Sequence, residues 1–237
     1  MNPFKKLIKP MKNLLTTIFL FLTVASININ AQYYLEMRNI SSEYDPNTDT
    51  YRLDYGNIKG DPFLNEDWEI GKVIFNDKSQ SQNINLRFNS YSNQLFFKEG
   101  DKVLLINLNE IQGFVFNKKE EIYKVGVTSS KYKFDGKQAF RLIYNGDVKL
   151  YEHLSVDHKS SKHPMTGELN EKFDRDEAYY IQTEDGELVK TRIRKKNLIN
   201  DLGIHKKELE KFTKDTKNKV KSEEDAVKLL EFYDTLK

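Results

Sequence analysis

The sequence predicts a mainly β (α+β) chain: an antiparallel β-meander, curved or barrel-like, carrying two or three C-terminal helices. Three observations lead there. From Trp68 to His153, short alternating apolar and polar runs recur about every 8 to 12 residues, with Gly, Asn or Asp between them. Residues 155–177 interrupt that alternation with a polar stretch. From about residue 193 the apolar spacing becomes helical. The expected organisation is a signal peptide over 1–31, an antiparallel β domain over 32–192 with a polar excursion at 155–177, and a helical segment over 193–237.

The leader reads directly. Lys5, Lys6, Lys9 and Lys12 precede an uncharged apolar run from Leu14 to Ala25, followed by polar residues up to Ala31. That run matches a signal-peptide core and falls short of the roughly 18 to 20 residues that span a bilayer. Cleavage is expected after Ala31, although Ile29 is a less usual residue three places before the cut. Met11 is an alternative start to Met1, since Met11-Lys12 onward is a complete signal by itself. Residues 1–31 hold four Lys and no Asp or Glu, so their removal takes the formal charge from +2 to −2. A near-neutral mature chain gives no electrostatic case for nucleic acid or anionic lipid.

In the body, Gln32–Arg38 and Tyr51–Tyr55 read as strands flanking a turn-like stretch, and Gly60–Asn65 reads as a turn. Ile84, Leu86 and Phe88 alternate with Asn83, Asn85, Arg87 and Asn89, the pattern of a strand with one wet face. Ser90–Asn93 turns that strand into Leu95-Phe96-Phe97. Further strands are expected at 72–76, 103–108, 111–116, 123–127, 140–144 and 148–154. At Asn145-Gly146-Asp147, a three-residue loop would pair Tyr144 with Val148 and Leu142 with Leu150, keeping one face apolar. The glycines all read as turn residues. A hairpin is expected between Tyr179-Tyr180-Ile181 and Leu188-Val189.

At the C-terminus, Leu198, Ile199 and Leu202 form one stripe, with Gly203 as a natural stop. Leu209 and Phe212 mark a second helix. Ser222 followed by Glu223, Glu224 and Asp225 is a capping signal for a third, whose stripe is Ala226, Leu229, Leu230 and Tyr233. The lysine-rich stretch 211–221 reads as a solvated linker.

Candidate chemistry is sparse. The chain has no cysteine, which excludes disulfides, thiolate nucleophiles, thiolate metal sites and a lipid-modified N-terminal Cys. His153, His158 and His163 recur every five residues beside Asp157, a spacing that fits neither helix nor strand; surface histidines explain them better than a zinc site. Asp45, Asn47 and Asp49 show a calcium-loop spacing, but Thr50 and Gly56 stand where Gly and Glu are needed. Glu66-Asp67 and Asp174-Arg175-Asp176 carry acids of the kind used in glycoside hydrolysis, at a density expected of a chain that is 31% charged. Tyr33, Tyr34, Tyr91, Tyr151, Tyr179 and Tyr180 could line a binding face, or pack within the sheet. No catalytic, cofactor-binding or metal residue is assigned, no cofactor is expected, and enzyme activity is not expected. The helical C-terminus and lack of aromatic girdles argue against a transmembrane barrel.

The leader ending Asn30-Ala31-Gln32, the run Gly60–Glu66 followed by Gly71-Lys72-Val73, the hairpin from Leu86 to Asp101 and the Ser222–Leu236 tail together resemble an uncharacterised family of exported β-rich proteins of the Bacteroidetes type. The resemblance spans most of the mature chain and implies fold and localisation, periplasmic or extracellular, with no catalytic residues to carry over. The function expected is that of a non-enzymatic cell-envelope protein engaging a protein or glycan partner through its sheet face or its 155–177 segment. The alternative is a small-ligand-binding β half-barrel. No nucleic-acid partner and no stable membrane insertion after signal removal are expected.

Overall fold

A computed structural model describes Tyr55 and residues 58–236. The leader, the strands expected at 32–38 and 51–54, Tyr33, Tyr34, the Asp45–Thr50 pattern and Gly56 lie outside the described residues.

Alternation sets the strands. They are β1 (Glu69–Phe75), β2 (Ile84–Asn89), β3 (Gln94–Glu99), β4 (Lys102–Ile106), β5 (Ile111–Phe116), β6 (Glu121–Lys124), β7 (Thr128–Ser129), β8 (Phe134–Asp135), β9 (Phe140–Asn145), β10 (Lys149–Lys162), β11 (Leu169–Gln182) and β12 (Leu188–Thr191). Ten of them form one antiparallel sheet in the order β12-β11-β10-β9-β6-β5-β1-β2-β3-β4, while β7 and β8 form a small separate ribbon. The sheet stays open, with β12 and β4 as its edges. The fold class read from the sequence is therefore the observed one, including its helices: α1 (Lys195–Leu202), α2 (Lys206–Asp215) and α3 (Glu223–Asp234). Among the described residues no helix is long and apolar enough to cross a membrane.

Near β4 the sheet buries Leu86, Phe88, Leu95, Phe97 and Phe114 on one face. On the other face Phe63 and Phe96 pack with Tyr55, Trp68 and Leu105. At the β12 end, α1–α3 cover one face, where Leu198, Leu209, Leu229 and Leu230 pack on Val148, Leu150 and Ile181. The opposite face there holds Phe140, Tyr151 and Tyr180, covered by Tyr132 and Phe134. Helix ends follow the expected chemistry. Gly203 takes φ +79° after α1, and the Ser222 side chain accepts from the Asp225 N–H at the start of α3.

Four details differ from the sequence reading. The loop between β9 and β10 is Gly146-Asp147-Val148, so Asn145 pairs with Lys149 and Tyr144 with Leu150; a bulge then sets Leu142 against Tyr151. The expected register assumed one apolar face. Here both faces are covered, so Val148 leaves the ladder to pack under the helices while Leu150 and Tyr151 serve opposite cores. Next, Gly71 and Gly113 lie inside β1 and β5 rather than in turns. The stretch 211–221 is not all solvated linker: α2 runs through Asp215 and Val220 is buried in the helical core. Lastly, Asn89 is buried rather than wet, because its side chain accepts from the Tyr91 and Ser92 N–H groups and so shapes the turn into β3.

The polar residues 155–177 form the outer part of a ribbon. β10 and β11 pair without a break from Lys149–Gln182 to Lys162–Leu169. Polarity masked this arm in the sequence, because a two-stranded ribbon needs only one apolar face. On that face Val156 and Phe173 are buried, and the Phe173 ring meets Tyr55 edge-on at 5.2 Å. Lys59 bridges to Lys172 beside the arm, and the Arg175 guanidinium donates to the carbonyls of Phe63 at 2.8 Å and Leu64 at 3.2 Å.

Candidate functional site

Cross-strand pairing assembles the most connected polar group. Phe114 pairs with Tyr123, Tyr123 with Arg141, Arg141 with Glu152, and Glu152 with Tyr179, so one row of side chains crosses β5, β6, β9, β10 and β11. Side chains directly opposite in an antiparallel pair share a face. The row therefore starts in aromatic packing, where Tyr123 stacks on Phe114 at 5.2 Å, and becomes polar beside the N-terminus of α3.

Arg141 is its centre. Its Nε donates to Glu152 at 2.6 Å, and its two terminal nitrogens donate to Glu223 at 3.0 and 2.5 Å. Tyr179 adds a bond to Glu223 at 3.1 Å. Burial alone would make the guanidinium easier to deprotonate, but the bonds to Glu223 and Glu152 outweigh it and hold the cation firmly. Burial, with the charge of Glu121 beside it, pushes the Tyr123 phenol well above its usual range. Burial and then the charges of Glu152 and Glu223 do the same to Tyr179. Both phenols stay protonated as donors.

Beside this row is an open cleft of about 380 Å³, reached by Asn65, Lys119, Glu121, Glu177 and Arg175. Its two guanidinium groups already hold structural partners, carboxylates for Arg141 and backbone carbonyls for Arg175. Paired in this way, Arg141 ties α3 to the sheet. A bidentate bond from the sheet to the first turn of α3 suits that role, and Glu223 there also complements the helix dipole.

No known protein family, curated protein or solved structure matches this chain.

The residues singled out in the sequence are dispersed. His153 and His158 are an odd number of places apart on β10 and so face opposite sides of the ribbon. His153 is buried, with Nδ1 3.0 Å from the Ala139 carbonyl and its ring stacked on Phe140 at 4.7 Å. His158 Nε2 lies 3.1 Å from Glu171, within ion-pair reach but off the angle a hydrogen bond needs. His163 sits at the tip of the arm and accepts from the Thr166 N–H. Among the described residues no three His, Asp or Glu side chains are grouped to hold a metal ion. Glu66 and Asp67 are exposed, and Asp174 accepts from Lys172 at 2.8 Å on the arm face opposite Arg175. Of the described tyrosines, Tyr151 and Tyr180 are buried in the aromatic core, where burial pushes the Tyr151 phenol up to about 12. Tyr179 joins the polar row and Tyr91 stays partly exposed beside Phe173.

Arg141 itself was visible only as a charged residue in an apolar strand. Neither partner can be read from sequence: the expected hairpin register sets Arg141 against Tyr151, a bulge after Leu150 brings Glu152 opposite it instead, and Glu223 lies 82 residues away.

His153 supplies a pH prediction. Burial lowers its pKa from the ordinary 6.5, although the bond to Ala139 works the other way. The unfolded chain takes up this proton near pH 6.5 while the folded chain resists it. Stability is thus fully present above that pH and is lost as the pH falls below it. Urea midpoints measured from about pH 7.5 to about pH 5 should fall more steeply for the parent than for His153→Phe. Parallel curves would show that this imidazole is not the titrating group.

Proposed function

We propose that this chain is a non-enzymatic cell-envelope protein, exported to the periplasm or beyond, whose β10–β11 arm engages a protein or glycan partner. One observation carries the reading: the two strands continue as a paired ribbon for 14 residues each, well past the β9 ladder that ends at His153. A ribbon anchored by Arg175 and Phe173 presents a defined polar surface at little ordering cost on binding. The leader and the family resemblance support the location. Self-satisfied arginines in the polar cleft support a structural role there, and packed rings around Tyr151 and Tyr180 favour partner binding over a ligand-lined half-barrel.

Trimming tests it. Deleting 160–171 and joining Lys159 to Lys172 through Asn-Gly keeps the Lys159–Lys172 pair, His158, Phe173 and Arg175 in place. Binding of the trimmed chain to solubilised envelope proteins and purified envelope glycans should drop about tenfold or more. Undiminished binding by a folded, trimmed chain would overturn the proposal.

A further inference from the structure

Over Lys149–His153, β10 has a strand on each side. From Leu154 to Lys162 it keeps β11 on one side and, among the described residues, no strand on the other. This leaves a hydrogen-bonding edge about 30 Å long.

The exposed face of that segment carries its charges in an unfavourable order. Asp157 stands directly across from Asp174, and Lys159 directly across from Lys172. Like charges directly opposed in an antiparallel pair repel. Within one chain they are relieved along each strand, by Lys159 at 3.6 Å from Asp157 and by Lys172 at 2.8 Å from Asp174. The side chains of Asp157 and Lys159 remain 72% and 55% exposed, so both can meet a further strand.

We propose that this free edge pairs with the same segment of a second copy, antiparallel about a two-fold axis at His158, joining two arms into a four-stranded ribbon. The inference rests on the arm being the interaction surface and names its partner. Two constraints choose the register. A two-fold axis normal to the ribbon keeps each side chain on its own face, so directly opposed residues are an even number of places apart. Centring on Asp157 or on Lys159 sets like charges against each other. Centring on Val156 or Ser160 leaves Lys159 without an acidic partner. Only the His158 centre sets Asp157 of each copy against Lys159 of the other, on the face where each copy alone is frustrated. Lysine on an exposed edge ordinarily discourages pairing. In this register it is neutralised, so the edge selects its own copy over other strands.

Charge reversal separates this from a general role in folding. In Asp157→Lys, the new lysine meets Asp174 within its own arm, which favours the folded arm, yet meets Lys159 across the two-fold. Sedimentation of the full chain over a range of micromolar concentrations should show reversible dimers. Their dissociation constant should weaken roughly tenfold in Asp157→Lys and recover when Lys159→Asp is added. A chain that stays monomeric throughout, or a dimer indifferent to the single reversal, would overturn the inference. The trimmed arm keeps the two proposals apart. If trimming abolishes envelope binding while the intact chain is monomeric, the self-pairing fails and the arm reading stands. If trimming changes neither, the arm reading fails as well.

Discussion

Gly113→Ala is expected to cost about 3 kcal/mol or more of stability, a large share of what a domain of this size holds. The pairing of β5 with β1 skips Gln112 between Ile74 and Phe75, a bulge next to Gly113 of the kind that bends the strand carrying it. A Cβ on Gly113 would fall well inside contact distance of the Tyr123 carbonyl and close on the Lys124 Cα, both of them backbone. Backbone in a paired strand cannot swing aside as a side-chain tip can. The added methyl must therefore open the β5–β6 ladder or displace Phe114, which is fully buried beside it. Gly100→Ala is the matching control. It sits in a turn at φ +60° with nothing within 4 Å, so it carries conformational strain alone, about 1 kcal/mol. Chemical denaturation of both variants measures the contrast. Equal losses would mean that close strand approach is not what holds position 113 as glycine.

Arg141→Met should cost about 3 kcal/mol by a different route. The Arg141 and Glu152 side chains are each 18% exposed, and that of Glu223 is 29% exposed. Removing the cation leaves two carboxylates near one another with little water to screen them, which is costlier than losing the bonds themselves. Its consequence should be local as well as global. With the bidentate bond gone, the Tyr179 bond is left to tie Glu223 to the sheet, and amide exchange should quicken first in the initial turns of α3. Adding Glu223→Gln should recover part of the loss, because it removes one of the stranded charges. If Arg141→Met unfolds at the parental denaturant concentration, the ion triad does not fasten helix to sheet.

The strands at 84–89 and 111–116 were legible because alternation reports burial whenever one face is covered. The capping at Ser222 and the stop at Gly203 were legible because they are backbone chemistry within a few residues. The sequence shows the arm only as a polar excursion, since its outer face is polar and its inner face touches residues more than a hundred places earlier. The hairpin register at Asn145 failed for a related reason. One apolar face marks a half-exposed sheet, but α3 and the segment bearing Phe134 cover both faces there. Of the polar row, no partner of Arg141 was legible, because a bulge after Leu150 brings Glu152 opposite it and distant packing supplies Tyr123 and Glu223.

By itself the sequence determined where the sheet begins to alternate and where the C-terminal helices lie, though not the strands of the polar arm, because local periodicity, turn residues and caps act within about ten residues. It also ruled out cysteine chemistry. Tertiary structure alone decided strand order, the close approach at Gly113, the length of the arm and the joining of Arg141 to Glu223. Each of those depends on which distant surfaces meet, and that is settled by the burial of whole faces together rather than by any one stretch of chain.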